Sequence, residues 1–212
     1  MPFANTQPPL SRRGNGPGVI VITEDTLQNA QVLPHDWALA GFAVAHVTVG
    51  RNEAAPVLDA SLDTAIDALL ELWACSDKTR FGIIAYVSRT NPCIPAILKQ
   101  RDGIEAVVLF NSGPGETAAA PVPVLEHLPG GADGTPLRED THAVTYPGSE
   151  EFFAVPGHAN YDPAAAQLAH ARTFSFLKPL LGGPSDEGEG TVGHPALGRG
   201  WFPNMKATPQ TV

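Results

Sequence analysis

Residues 18–23 read Gly-Val-Ile-Val-Ile-Thr, a run of β-branched residues that begins at a glycine and ends before Glu24. An unbroken apolar run of this kind is typical of a strand that is buried on both faces of a parallel sheet. Comparable runs occupy residues 42–49, 81–87 and 106–111. The sequence therefore predicts a central, mostly parallel sheet with helices packed on both faces.

The segments between these runs carry apolar residues at helical spacing. We predict helices at residues 29–40, 59–74 and 94–100, and two further strands at residues 122–128 and 142–146. Asp162-Pro163 marks the start of a fourth helix, because Asp is a favoured N-cap residue and Pro fits the first helical turn. The alternating order predicts an α/β fold with a doubly wound sheet and right-handed crossovers.

The length of the chain, 212 residues, suits a single domain, and every predicted element lies within residues 17–183. Residues 1–16 are polar and Pro-rich, and we expect a flexible N-terminal segment there. Residues 184–212 are rich in Gly and Pro and are expected to form an irregular C-terminal tail. No apolar run in the N-terminal segment is long enough for a signal peptide or a membrane span, so we expect no membrane association.

Charge and cysteine content restrict the partners of the chain. Its net charge of −9 argues against nucleic acid, because phosphate binding needs a basic surface. Cys75 and Cys93 cannot form a disulfide framework, and reduced thiols fit the cytoplasm. The histidines lack metal-binding spacing, and we expect no metal and no cofactor. A small molecule is the expected partner, and a homodimer through an edge strand or the tail is left open.

Three blocks of the sequence carry a family resemblance. They are Val19-Ile-Val-Ile-Thr-Glu24 with Asn29-Ala30, then Phe81-Gly-Ile-Ile-Ala-Tyr-Val-Ser-Arg89, and lastly Tyr146-Pro-Gly148 with Phe153-Ala154, Tyr161-Asp-Pro-Ala-Ala-Ala166 and Phe176-Leu177. All three blocks resemble the dienelactone hydrolases. The first block is similar to that family's first strand-to-helix opening, and the second to its nucleophile strand. The third is similar to its final strand, histidine loop and last helix. The resemblance spans about residues 17–181 and implies an α/β-hydrolase fold, with a family glutamate at the position of Glu24.

The residues at the family's catalytic positions depart from its pattern. The family's nucleophile elbow reads Gly-x-Cys-x-Gly, and Ala85-Tyr-Val-Ser-Arg89 stands there. Val87, in place of the cysteine, has no atom that can attack a carbonyl, and the strained elbow favours small flanking residues. The histidine position falls on Glu151, which cannot replace imidazole in a triad. The acid position falls on Ala132, with Asp133 one residue later.

The altered positions predict an enzyme that uses acid–base chemistry without hydrolysis. Glu24, Glu151 and Tyr86 are the candidate catalytic residues, because two carboxylates in one apolar cleft can differ in pKa and act as base and acid. The residues expected to line the substrate are Arg89, Val87, Ser88, His127, Phe152 and His158. The reaction class would be isomerisation, dehydration or cyclisation of a small lactone, enol or polyketide-type molecule.

Two other functions stay open. Glu24 and Glu151 could pair with Arg89 in a structural salt bridge, in which case the chain is an inactive ligand-binding or scaffold protein. The chain could also be an esterase with a displaced nucleophile, either Ser88 or Cys93.

Overall fold

The computed structural model describes residues 5–27, 31–111, 120–130 and 142–182. The elements within these ranges are β1 (Asn5–Gln7), β2 (Gly18–Glu24), α1 (Val32–Leu39), β3 (Ala43–Val49), α2 (Ala55–Glu71), β4 (Phe81–Tyr86), α3 (Ile94–Ile97), β5 (Ile104–Phe110), β6 (Val124–Gly130), β7 (His142–Pro147) and α4 (Pro163–Leu181). The predicted tail at 184–212 and the acid position at Ala132 and Asp133 lie outside the described residues.

The seven strands form one sheet in the order β1-β3-β2-β4-β5-β6-β7. β1 runs antiparallel to β3, and every other neighbouring pair is parallel. The chain passes from β2 outward to β3 and then returns to β4 on the other side of β2, so the direction of winding reverses there. The predicted doubly wound α/β fold is confirmed, and its switch point lies between the carboxyl ends of β2 and β4, where such folds bind ligands.

The strand side chains alternate between two apolar layers. On β2, Val19 and Val21 face the layer beneath α1 and α4, whereas Ile20 and Ile22 face the layer beneath α2 and α3. All four side chains are fully buried, which explains why the opening run shows no polar alternation.

Two predicted helices have different limits in the structure. α2 begins at Ala55 rather than at residue 59, because Pro56 occupies its first turn and fixes a helical φ there. It ends at Glu71, and Trp73 beyond it is 79% exposed. α3 ends at Ile97 rather than at residue 100.

Residues 5–16, part of the segment for which the sequence predicted flexibility, make backbone contacts with the domain. β1 adds an edge strand to β3, and the amide of Leu10 donates a hydrogen bond to the carbonyl of Ala38 (2.8 Å). Gly16 approaches Gly41 so closely that a Cβ at residue 16 would lie 1.8 Å from the Gly41 carbonyl oxygen. Backbone hydrogen bonds join this segment to β3 and to α1. Such bonds do not depend on side-chain type, so a polar composition does not predict them.

The start of α4 confirms the predicted cap. Asp162 Oδ1 accepts hydrogen bonds from the amides of Ala164 (3.0 Å) and Ala165 (3.1 Å), and Gly182 ends the helix in the left-handed conformation with φ 66°. The buried face of α4 consists of Ala166, Ala169, His170, Thr173, Leu177 and Leu181. No helix in the described ranges is both long and apolar enough to cross a membrane.

Candidate functional site

Glu24 ends β2 at the carboxyl edge of the sheet, and its side chain is buried. Its Oε1 atom accepts hydrogen bonds from the Ser88 amide (2.6 Å), the Ser88 hydroxyl (2.6 Å) and Asn91 Nδ2 (2.8 Å). The Thr26 hydroxyl donates a longer bond to Oε2 (3.3 Å). Glu24 therefore ties the end of β2 to the turn that follows β4.

The backbone of the turn after β4 differs from the strained turn of a nucleophile elbow. An elbow holds its nucleophile on a sharp, strained turn and uses the next amide as an oxyanion donor. Val87 is fully buried beneath α2 and α3, and neither Val87 nor Ser88 has a positive φ. The Ser88 amide already donates to Glu24. The expectation that Val87 lines the substrate is corrected, because Val87 is part of the core.

Tyr86 points away from the crevice. Strand alternation places it beside Ile84 in the layer beneath α1 and α4, where it is fully buried. Trp37 Nε1 donates to its hydroxyl (3.1 Å), and His170 Nε2 lies 2.9 Å from the same oxygen. Burial raises the pKa of Tyr86 well above its usual value. The expectation that Tyr86 acts on a substrate at the strand ends is therefore corrected.

His127 also lies in the core rather than at the crevice. Its Nδ1 atom is 2.9 Å from the Tyr146 hydroxyl, and its Nε2 atom is 2.8 Å from the Thr173 hydroxyl. Burial, reinforced by His170 and Arg172, lowers the pKa of His127 well below its usual value. We call the buried set Trp37, Tyr86, His127, Tyr146, His170 and Thr173 the core network.

Two strained residues mark the crevice on its other side. Asn111, directly after β5, has φ 70°, and Phe152 has φ 63°. They are the non-glycine residues with positive φ in the described ranges, and the Phe152 amide donates to Asn111 Oδ1 (2.8 Å). Asn tolerates this conformation, but a bulky residue such as Phe adopts it rarely. This hydrogen bond joins β5 to residues 148–162, which connect β7 to α4 and which we call the site loop.

Glu151 lies in the site loop and is half-buried. Its Oε1 atom accepts a hydrogen bond from the Arg89 amide (3.0 Å), and its carbonyl accepts one from Asn160 Nδ2 (3.1 Å). The Arg89 side chain is exposed, and the ion pairs found among the described residues do not include it. The salt bridge considered for Arg89 with Glu24 and Glu151 is therefore not formed.

His158 packs on Phe152 within the same loop. The centroids of the two rings are 5.1 Å apart, and the ring planes are inclined by 57°. The Asn160 amide donates to His158 Nδ1 (3.2 Å). Both rings are half-buried, and the loop is hydrogen-bonded to Arg89 and Asn111 beyond the carboxyl ends of β4 and β5.

Comparison with solved structures agrees with this fold. The crystal structure of a "Putative Dienelactone Hydrolase from Klebsiella pneumoniae" superposes with a TM-score of 0.58 at 17% identity, covering 82% of this chain and 91% of that one. Est1E from Butyrivibrio proteoclasticus gives a TM-score of 0.56 at 14% identity, covering 82% and 93%. The chain has a dienelactone hydrolase-like α/β-hydrolase fold. No family model and no curated protein sequence matches it.

Within this hydrolase-like fold, the sequence reasoning located the strand-end residues but missed the partners that hold them. Asn91, Asn111 and Asn160 each bond a candidate residue, and nothing in their local pattern distinguishes them from ordinary turn asparagines. His170 could have been found, because it shares the helical spacing of the small residues Ala166, Ala169 and Thr173 on the buried face of α4.

Proposed function

We propose that this chain catalyses a non-hydrolytic acid–base reaction on a small molecule bound over the site loop, with Glu151 as the base. The observation that carries the proposal is the strained Phe152, held to the strained Asn111 by a hydrogen bond at the carboxyl edge of the sheet. A bulky residue persists in a left-handed conformation only where the surroundings impose it, and such positions concentrate at functional sites.

Glu151 is a better candidate base than Glu24. Three donors converge on a single oxygen of Glu24, and its side chain is buried. The Glu151 carboxylate is half-buried and accepts one bond of 3.0 Å through Oε1, and among the bonds described its Oε2 atom accepts none. We therefore assign Glu24 an anchoring role and Glu151 the transfer of the proton.

A carboxylate can take a proton from a carbon or oxygen atom of a substrate and return it at another atom. Such transfers are sufficient for isomerisation, dehydration or cyclisation, with no covalent intermediate. The substrate proposed for this chain is a small lactone, enol or polyketide-type molecule. Val87 supplies no nucleophile, and the amide that would bind an oxyanion is bonded to Glu24, which disfavours ordinary acyl hydrolysis.

The test is a screen of small lactones, enols and β-ketone compounds by NMR, followed by Glu151→Gln on any substrate that is converted. We expect kcat/KM to fall about 10²- to 10⁴-fold, the usual contribution of a general base. Glu150→Gln is the matched control, because Glu150 is the exposed neighbour and should retain full activity. Unchanged turnover in Glu151→Gln would contradict the proposal, and binding without conversion would favour the ligand-binding alternative.

A second function, ester hydrolysis by Ser88, is favoured by one contact. The Ser88 hydroxyl lies 2.6 Å from Glu24 Oε1, within reach of a carboxylate that could accept its proton. Ser88 is only 4% exposed and no histidine contacts its hydroxyl among the bonds described, which makes it the weaker candidate. Burial, with Glu53 and Glu24 adding to it, raises the pKa of Cys93, which disfavours that thiol. Hydrolysis of p-nitrophenyl acetate that Ser88→Ala abolishes, with labelling of Ser88 by a fluorophosphonate, would establish this function instead.

A further inference from the structure

We propose, on the basis of the function above, that His158 is the electrophile of the site and that the substrate class is a neutral, enolisable carbonyl compound. Its Nε2–H group binds the carbonyl oxygen while Glu151 removes the proton from the adjacent carbon. The inference rests on how the site loop fixes the imidazole ring.

A backbone amide sets the tautomer of His158. The Asn160 N–H group can only donate, and it points at Nδ1 from 3.2 Å, so Nδ1 is the acceptor. In the neutral ring the hydrogen then resides on Nε2, because the two nitrogens of neutral imidazole divide the donor and acceptor roles. His158 therefore offers a hydrogen-bond donor on the side of the ring that Asn160 does not occupy.

Asn160 also connects His158 to Glu151. Its amide bonds the His158 ring, and its side-chain Nδ2 bonds the Glu151 carbonyl (3.1 Å). Phe152 lies between these residues in sequence, and its ring packs against the imidazole. The base and the donor are thus held by one residue on a loop that is anchored to β4 and β5.

The proton transfer is balanced without any other reagent. The Glu151 carboxylate takes the hydrogen on the carbon next to the carbonyl, and the electron pair of that C–H bond forms a carbon–carbon double bond. The carbonyl π pair moves onto oxygen, where the His158 Nε2–H bond stabilises the enolate. In a carbonyl compound with a β,γ double bond the enolate extends to the γ carbon, and return of the proton from Glu151 to that carbon completes an isomerisation.

The charges at the site favour a neutral substrate. The proposed base is itself a carboxylate, Glu151, and the chain carries a net charge of −9. A permanently anionic group such as a phosphate would be repelled, whereas a ketone or a neutral lactone develops its negative charge only as the proton is removed. The half-buried ring of Phe152 offers an apolar surface for the body of such a molecule.

The tautomer can be tested without knowing the substrate. Long-range ¹H–¹⁵N NMR of the intact chain at pH 8, assigned by comparison with His158→Gln, should show the His158 ring protonated at Nε2 only. A ring protonated at Nδ1, or a mixture dominated by that form, would overturn the inference.

Ligand binding tests the donor role separately from catalysis. Acetohydroxamic acid, a planar and neutral mimic of an enol, should shift the His158 Nε2 signal, and His158→Phe should weaken its binding about 3- to 10-fold, as expected for loss of one hydrogen bond between neutral groups. His158→Gln keeps a side-chain donor and should recover part of the affinity, and exposed His35→Phe should change nothing. Equal affinity in wild type and in His158→Phe would refute the inference.

Deuterium exchange distinguishes this inference from the proposed function. We expect the chain to catalyse exchange of the hydrogens next to the carbonyl of 1-tetralone in D₂O, and Glu151→Gln to abolish that exchange. If hydroxamate binding depends on His158 but Glu151→Gln leaves the exchange intact, Glu151 is not the base and the proposed function fails while the donor role stands. If Glu151 is needed for exchange but His158 is not, the inference fails alone.

Discussion

The core network and the site loop contain the same kinds of residues in opposite settings. His127 and His170 lie between the sheet and α4, where both are buried and hydrogen-bonded to hydroxyl groups. His158 and Glu151 sit half-exposed at the carboxyl edge of the same sheet. Acid–base residue types therefore do not identify a site by themselves. In this molecule, those in the core network are expected to contribute to stability, whereas those in the site loop are the ones that we propose meet a ligand.

Glu24 combines features of both regions, because it lies at the crevice but is buried and hydrogen-bonded like a residue of the core. Glu24→Ala leaves the Ser88 amide, the Ser88 hydroxyl and Asn91 Nδ2 without their acceptor, and should lower the free energy of unfolding by about 3–5 kcal/mol. Urea unfolding measures this loss. Glu24→Gln keeps an acceptor oxygen and should lose less than half as much. Full stability of Glu24→Ala together with lost turnover would assign Glu24 to the reacting groups.

The core network should make the fold sensitive to acid. Burial lowers the pKa of His170 from 6.5 to about 4, so the unfolded chain binds a proton at a higher pH than the folded chain does. The free energy of unfolding is therefore unaffected by protonation of His170 above pH 6.5. It declines as the pH falls toward 4, and this residue accounts for about 3 kcal/mol of the decline.

Unfolding free energies between pH 7 and pH 4 check this decline. The matched variant is His170→Gln, whose side chain can still accept from Tyr86 but does not titrate. Its stability should fall less steeply over the same range. An equal slope in both proteins would show that His170 is not held neutral by the fold.

The hydroxyl of Tyr86 should matter for stability and not for chemistry. Tyr86→Phe removes the group that lies between Trp37 Nε1 and His170 Nε2, and should cost about 1–3 kcal/mol. Exposed Tyr161→Phe is the control and should change stability by less than about 0.5 kcal/mol. Thermal denaturation measures both. Loss of turnover at unchanged stability in Tyr86→Phe would return Tyr86 to the list of catalytic candidates.

The smallest expected effect concerns strain at Phe152. Phe152→Gly and Phe152→Ala both remove the ring, but only glycine adopts φ 63° without a steric penalty, so the glycine variant should be more stable by about 1 kcal/mol. The order should reverse at the neighbouring Phe153, where φ is not positive and alanine is favoured over glycine. Equal stability of the two residue-152 variants would show that this backbone stores no strain.

The sequence predicted the sheet well because burial on both faces leaves a direct signature. The runs at 18–23 and 81–87 contain only residues that suit a covered parallel strand, and both strands lie where they were expected. The start of α4 was equally readable, because an Asp-Pro cap is a local signal that needs no tertiary partner. The edge strand β1 was missed, since its residues are polar and its pairing with β3 is made by the backbone.

The candidate site was only partly predictable. Glu24 and Ser88 were located by their positions after strands, and Glu151 by the family resemblance. The structure brings Glu24 to Ser88 and Glu151 to the amide of Arg89. Tyr86 was misplaced because its direction depends on strand alternation, which a run of uniformly apolar neighbours conceals.

The sequence by itself determined the α/β class and the positions of the central strands along the chain, because both depend on residue type and local pattern. Only the tertiary structure decided which polar groups face the crevice and which lie in the core. Long-range contacts, such as the bonds from Asn111 to Phe152 and from Glu24 to Ser88, join residues far apart in the chain. No local pattern records such a pairing, since it is the packing of the sheet and its loops that creates it.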